Sequence, residues 1–214
     1  MARLFGFLLL ALSAPLFAAP PNILFFFADD QRYDTLSRAG HPIVQTPTID
    51  KLAADGVRFK NAFVTTSVCW VSRAVIFTGQ WARSHVQRNA VPQVRPDAAA
   101  TIYPVQLRQA GYTTAHFGKW HFKGPEGFKP EKQFDAFEQI GRSPYLKTMP
   151  DGSKKHETDI ICDRGIDFIK AQSKDKPFCM QLSFNAAHAE DSDHRPGIGL
   201  YPWPQSTDGM YEDR

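Results

Sequence analysis

Apolar positions in this chain fall into two patterns, short continuous runs and spaced stripes, and the two alternate along its length. From Ile23 the chain runs Ile-Leu-Phe-Phe-Phe-Ala, and an apolar run without polar alternation predicts a strand over residues 21–28 covered on both faces, as in a parallel sheet. Residues 176–184, Lys-Pro-Phe-Cys-Met-Gln-Leu-Ser-Phe, predict a second buried strand, and residues 57–64 and 112–117 two more. Helix signals lie between them. Residues 48–55 carry a capping candidate in Thr48, Leu52 and Ala53 at the centre and Gly56 as a stop, which predicts a helix. Further helices are predicted over residues 72–77, over 101–110 with Gly111 closing it, and over 158–171, where Cys162, Ile166 and Ile169 would share one face. Strand and helix alternation without internal repeats predicts an α/β fold, a mainly parallel sheet with helices on both faces, whose functional residues lie at the carboxyl ends of the strands.

The first residues do not belong to that alternation. Residues 1–19 hold one cation at Arg3, an apolar run from Leu4 through Leu12, and small residues at Ala14, Ala18 and Ala19. This is the pattern of a secretory signal peptide, too short to span a bilayer comfortably, and no later segment approaches a membrane span. The expected location is periplasmic or secreted, with residues 20–214 as the folded part. The chain of 214 residues is 43% hydrophobic and 22% charged, an ordinary globular composition with enough length for one core. Its net charge of +3 is spread along the chain rather than gathered in a basic run, which gives no basis for nucleic-acid binding.

The cysteine count carries the first chemical information. Cys69, Cys162 and Cys179 are an odd number for an exported chain, so at least one lies outside any intramolecular disulfide. Cys162 on a helix stripe and Cys179 in a strand read as small core residues, with a bridge between them left open. Cys69 opens residues 69–79, Cys-Trp-Val-Ser-Arg-Ala-Val-Ile-Phe-Thr-Gly, where a loop enters a helix. Unpaired N–H groups and a partial positive charge gather at a helix N-terminus, so a thiolate or oxyanion is stabilised there, and Arg73 adds a fixed cation. A free cysteine is more often buried and inert; local chemistry leaves both readings open. Asp29 and Asp30 follow directly on the first predicted strand. Adjacent carboxylates repel unless a cation neutralises them, and hard oxygen donors suit Ca²⁺ or Mg²⁺, a plain Asp-Asp turn being the simpler alternative. Lys119 and His121, at i and i+2, would point the same way from an extended segment, with Trp120 turned into the core.

Cys-x-x-Ser-Arg, followed by Thr78-Gly79, resembles the signature of the type I sulfatases of the alkaline-phosphatase superfamily, which reads Cys-x-Pro-Ser-Arg or Cys-x-Ala-Ser-Arg; Val71 holds the third motif position here. Residues 111–121 resemble the family segment Gly-Tyr-x-Thr-x-x-x-Gly-Lys-Trp-His. Asp29-Asp30-Gln31 is similar to the family's metal-binding start, and residues 183–188 to a segment ending Ala-Pro-His, with Ala187 in place of the proline. The resemblance implies a sulfuric ester hydrolase in which Cys69 is oxidised by a formylglycine-generating enzyme to formylglycine, whose hydrated aldehyde is the nucleophile. It implies Asp29, Asp30 and the converted Cys69 as ligands of Ca²⁺ or Mg²⁺. Arg73 and Lys119 would neutralise the sulfate, His121 would assist proton removal, and His188 would protonate the leaving alcohol. A sulfated small molecule or glycan is the implied substrate. His41, His85, His116, His156 and His194 carry no motif, though His85 follows the nucleophile helix closely. The family's later Asp-Asn or Asp-Gln pair, its further substrate lysine and its carboxyl-terminal subdomain have no counterpart after His188. The chain is therefore expected to be the amino-terminal part of a sulfatase catalytic domain, with an incomplete metal shell and an open sheet edge. A phosphate or phosphonate ester hydrolase of the same superfamily and an inactive fragment that only binds sugar sulfates are the two alternatives.

Overall fold

The computed structural model describes residues 19–87, 92–192 and 200–213. The expected signal peptide, all but its last residue, and His194 lie outside them. In chain order the elements are β1 (Ile23–Phe27), α1 (Pro47–Asp55), α2 (Cys69–Thr78), α3 (Ala82–His85), β2 (Val86–Gln87) and β3 (Gln93–Val94). Then come α4 (Pro96–Ala100), α5 (Tyr103–Gln109), β4 (Thr113–Gly118), β5 (Ala136–Gln139), β6 (Leu146–Thr148), β7 (Lys154–His156), α6 (Glu157–Lys170) and β8 (Phe178–Ser183). The main sheet has the order β1-β8-β4-β5 and every pairing in it is parallel. Two antiparallel pairs, β2–β3 and β6–β7, stand apart from it.

At β4 and β8 the sheet is covered on both faces, as the β/α alternation predicts, and the pleat sorts their residues between two cores. On one face Ala115 and Phe117 of β4 and Met180 and Leu182 of β8 meet Ile160 and Ile161 of α6. Gly165 lets that helix lie close, since a Cβ there would sit 2.9 Å from Leu182 Cδ1. The opposite face is aromatic: Phe77 of α2 packs with Trp120, Phe122 and Phe134 over Ala98 and Ala99 of α4. His116 of β4 is embedded among these rings, stacked on Phe137 at 5.6 Å and edge-on to Trp120 at 5.2 Å. Trp120 is a core residue, in agreement with the sequence reading.

Several expectations are corrected. Residues 57–64 form no strand: among the described residues no neighbour pairs with their backbone, and Val57, Phe59, Phe63 and Val64 are exposed. β1 is not buried on both faces; it is an edge strand of the described sheet, paired with β8 alone, and Ile23, Leu24 and Phe26 are exposed. The predicted helix over 101–110 begins only at Tyr103, because Pro104 sits in its first turn and Ile102 supplies an extended cap. Likewise α1 starts at Pro47, with Thr46 rather than Thr48 at its N-cap position and no side-chain capping hydrogen bond. In α6 the face turned to the sheet is Glu157, Ile160, Ile161 and Gly165, whereas Ile166 and Ile169 are exposed and Cys162 is half-buried. Helical spacing identifies a stripe but not which of two neighbouring stripes meets the sheet. All three cysteines are free, so the bridge left open between Cys162 and Cys179 does not form. Among the described residues no helix is long and apolar enough to cross a membrane.

His116 is fully buried and neither ring nitrogen meets a partner of good geometry. Burial, with the charge of Arg73 second, holds its pKa down to about 3. Unfolded, this histidine gains a proton below about pH 6.5. Its contribution to stability is thus intact above that pH and falls by about 1.4 kcal/mol per pH unit toward the folded-state value near 3. His116→Phe, which keeps a planar ring and removes two unsatisfied nitrogens, is expected to flatten the loss between pH 6.5 and 5 by roughly one proton's worth. Urea midpoints across that range test it, and an unchanged slope would exclude His116 as the titrating group.

Candidate active site

Three strand ends and one helix start converge at the carboxyl edge of the sheet. β1 and β8 stay zipped beyond their last paired residues: Phe184 N donates to the Phe27 carbonyl at 2.8 Å, Asp29 N to the Ala186 carbonyl at 3.2 Å, and Ala187 N to the Asp29 carbonyl at 2.8 Å. These bonds fix Asp29 and Asp30 on one loop against His188 on the other. β4 ends at Gly118, whose φ is +110 and whose missing Cβ would lie 2.1 Å from the Ser183 carbonyl oxygen. Only glycine permits that backbone and that approach. The next residue, Lys119, is anchored by its N–H on the Ser183 carbonyl at 2.7 Å.

Helix α2 begins at Cys69 with Val68 as an extended cap that offers no side-chain hydrogen bond, so the first N–H groups of the helix lack a capping side chain. One turn later Arg73 is nearly inaccessible. Its Nη1 donates to the Lys119 carbonyl at 2.9 Å and to Ser183 Oγ at 2.7 Å, and its guanidinium lies 4.7 Å from the centre of the Phe27 ring. Nη2 stands 3.7 Å from Asp29 Oδ1, and neither it nor Nε makes a hydrogen bond. On the other oxygen of Asp29 sits Lys119 Nζ in a close ion pair. A buried carboxylate thus faces two cations, and Arg73 retains two nitrogens that make no hydrogen bond. Such orphaned donors suit an anionic ligand.

Of the sequence-predicted site residues, Asp29, Cys69 and His188 form one close group, whereas Asp30, expected as a metal ligand, stands beside that group rather than in it. The ligand atoms of Asp29, Cys69 and His188 all lie within 4.8 Å of one another. Asp30, in a left-handed backbone with φ 54, places Oδ2 3.7 Å from His188 Nε2. Lys119 and His121 do not leave an extended strand side by side, since the strand ends at Gly118 and His121 itself has φ 43. They nevertheless line one open cavity of about 300 Å³, with Gln139, Arg142, Ser143 and Asn185 among its walls. Burial first, then the charges of Lys119 and Arg73, lowers the pKa of His121, favouring its neutral, proton-accepting form. Cys162 and Cys179 are apart from this site, and burial raises both thiols, that of Cys179 to about 11, so both stay protonated.

A divalent cation fits part of this donor set. The carboxylates of Asp29 and Asp30 are hard ligands, whereas the thiol of Cys69 is a poor partner for Ca²⁺ or Mg²⁺ until it carries oxygen. Two carboxylates and one further oxygen fall short of the six to eight oxygens that Ca²⁺ takes. Sequence reasoning missed Ser183 and Asn185, both buried, which tie Arg73 and the loop after β5 into place. A polar residue closing an apolar strand, Ser183 after Leu182, was the available signal.

The model of the family described as Sulfatase matches residues 21–208. N-acetylglucosamine-6-O-sulfatase of Bacteroides thetaiotaomicron is 31% identical over 204 residues, covering 91% of this chain and 36% of the relative. A solved protein in complex with its substrate D-glucosamine-2-N,6-O-disulfate superposes with a TM-score of 0.64 at 33% identity, over 78% of this chain and 35% of that one. Phosphonate monoester hydrolase of Agrobacterium radiobacter, at 22% identity and a TM-score of 0.61 over 79% of this chain and 41% of its own, shares the fold alone. The chain spans little more than a third of the length of the first two proteins.

Replacing Asp29 by Asn leaves two buried cations without their shared counter-charge. The expected cost is about 3 kcal/mol, read as a lower urea midpoint at unchanged m-value; a change below about 1 kcal/mol would mean that solvent screens the pair.

Proposed function

The chain belongs to the sulfatase family, and from that premise we propose that it carries the amino-terminal part of a sulfuric ester hydrolase that cleaves the sulfate esters of carbohydrates. The observation that carries the reading is the convergence of Cys69, at the start of α2, with Asp29 and His188 inside 4.8 Å, backed by the buried cations Arg73 and Lys119. Family members use a formylglycine, which supplies a hydrated aldehyde as nucleophile, and a divalent cation, which neutralises charge on the ester. In this chain the formylglycine would be made from Cys69 by a formylglycine-generating enzyme, and Asp29, Asp30 and the converted residue would hold Ca²⁺ or Mg²⁺.

The chain's own residues divide the remaining work. Arg73 and Lys119 place positive charge where a sulfate group gains negative charge toward its leaving oxygen, the form of stabilisation worth most in a water-poor site. His121, held toward its neutral form and lining the same cavity as Lys119, is assigned the role of proton acceptor. His188, in the cluster and beside Asp30, delivers a proton to the departing alcohol. Support for a sugar substrate comes from the relative named N-acetylglucosamine-6-O-sulfatase. The amino-terminal residues 1–19 fit export to the periplasm or the exterior, where such an ester would be met.

The complete protein that carries this sequence is expected to hydrolyse 4-nitrophenyl sulfate and a sugar 6-sulfate in preference to the matched phosphate esters; a clear phosphate preference overturns the reading in favour of the phosphoester alternative. Cys69→Ala is expected to lower kcat at least about 10³-fold. EDTA should abolish turnover and Ca²⁺ restore it. The mass of the peptide containing residue 69 reports the conversion, and unmodified thiol in fully active protein would remove formylglycine from the scheme.

A further inference from the structure

Residues 140–145, which follow β5, are tied at several points to residues 185–192, which follow β8. Arg142 Nε donates to the Ala189 carbonyl at 2.9 Å, and its Nη2 pairs with Asp191. Ser143 Oγ donates to Glu190 Oε1 at 2.9 Å, and the same oxygen accepts from Ser192 Oγ at 2.5 Å. Tyr145 Oη donates to the His188 carbonyl at 2.6 Å. Asn185 Nδ2 donates to the Ile140 carbonyl and to Glu157 Oε2, each at 2.9 Å.

The His188 imidazole belongs to the same web. Its Nδ1 lies 2.8 Å from the Ala189 carbonyl, and a carbonyl only accepts, so Nδ1 carries a proton and donates it, and the proton delivered to the ester oxygen is the second one of the imidazolium, on Nε2. One carbonyl therefore receives Arg142 and His188 together, and Nε2 is turned to Asp30 and the cluster. A loop imidazole held by one hydrogen bond is only as fixed as its acceptor. Here the acceptor peptide is held on both sides, by Arg142 at residue 189 and by Tyr145 at residue 188. Tyr145 is 2% exposed, so its hydroxyl has given up water and depends on that carbonyl, while its ring stacks on His156 at 5.2 Å.

We propose that Tyr145 and Arg142 are positioning residues that hold the His188 imidazole with Nε2 facing the departing ester oxygen. The proposal rests on the sulfatase reading above, in which His188 delivers the proton. Arg142 also lines the cavity with Lys119 and His121, whereas Tyr145 is absent from its walls, so Tyr145 acts through the His188 peptide and is the cleaner probe. Proton delivery needs heavy atoms within hydrogen-bond reach, and small misplacements of a catalytic group cost large factors in rate.

The test compares two esters of unequal need for a proton in the complete protein. A nitrophenolate leaves without one; a sugar alkoxide does not. Tyr145→Phe is expected to lower kcat about tenfold on a sugar sulfate and less than about twofold on 4-nitrophenyl sulfate. In a His188→Ala background it is expected to add almost nothing. An equal loss on both esters, or a loss undiminished when His188 is absent, overturns the proposal. Should Tyr145→Phe fail to fold, Arg142→Lys, which keeps the charge and loses the Nε donor, is subject to the same comparison. If the unaltered protein cleaves neither ester, it is the sulfatase reading that falls. The positioning role is then read from solvent exchange of the His188 Nδ1 proton by NMR, expected to quicken at least about tenfold in Tyr145→Phe; an unchanged rate overturns it.

Discussion

The Asp29 carboxylate, buried between Lys119 on one oxygen and Arg73 on the other, is the contact around which the rest of this molecule is arranged. A lone carboxylate in that position would be expelled or neutralised, and two cations without it would repel. Each of the three charges comes from a different element: Asp29 follows β1, Arg73 stands one turn into α2, and Lys119 follows β4. Holding them together therefore requires the sheet order, the position of the helix and the lengths of the connections to be correct at once. Ser183 closes the arrangement from β8, its hydroxyl and carbonyl both spent on the neighbouring chain segments.

Excess positive charge remains after that internal pairing, and it remains in the right place. Arg73 keeps two nitrogens without hydrogen-bond partners in a buried setting, beside the uncapped start of α2. The fold thus spends much of its polar binding capacity on itself and leaves a small part without a hydrogen-bond partner. The same division holds on the other side, where the loop bearing His188 is cross-tied by Arg142 and Tyr145 while one imidazole nitrogen stays turned to the cluster.

Much of this was legible in the sequence, and the exceptions have physical causes. Buried strands and their sheet type could be read because an unbroken apolar run such as residues 178–182 has few alternative homes. Asp29 was identifiable because it follows such a run closely, Lys119 and His188 because residues 111–121 and 183–188 resemble family segments. β1 reads as equally buried, yet Phe26 is exposed, since burial of a strand depends on what lies beside it and not on its own composition. Residues 57–64 have strand-like composition and no pairing partner among the described residues. Tyr145, Arg142 and Asn185 carried no local signal at all: their roles arise from contacts between segments some 45 residues apart. His116 had no motif and turned out to be a core residue, a ring chosen for shape in an aromatic cluster.

The parallel pairing of β1 with β8 joins the beginning of the described chain to residues more than 150 positions later. During synthesis β1 has no partner until β8 has been made, whereas β4 and β5 meet after a short helical turn and a loop. Arg73 shares this wait, because the Ser183 hydroxyl that receives it arrives last. For the whole interval in which residues 79 to 183 are being added, the start of α2 has no finished sheet to pack against. The setting of that helix start is thus decided by topology, after a stretch of elongation time that closes only when β8 enters the sheet.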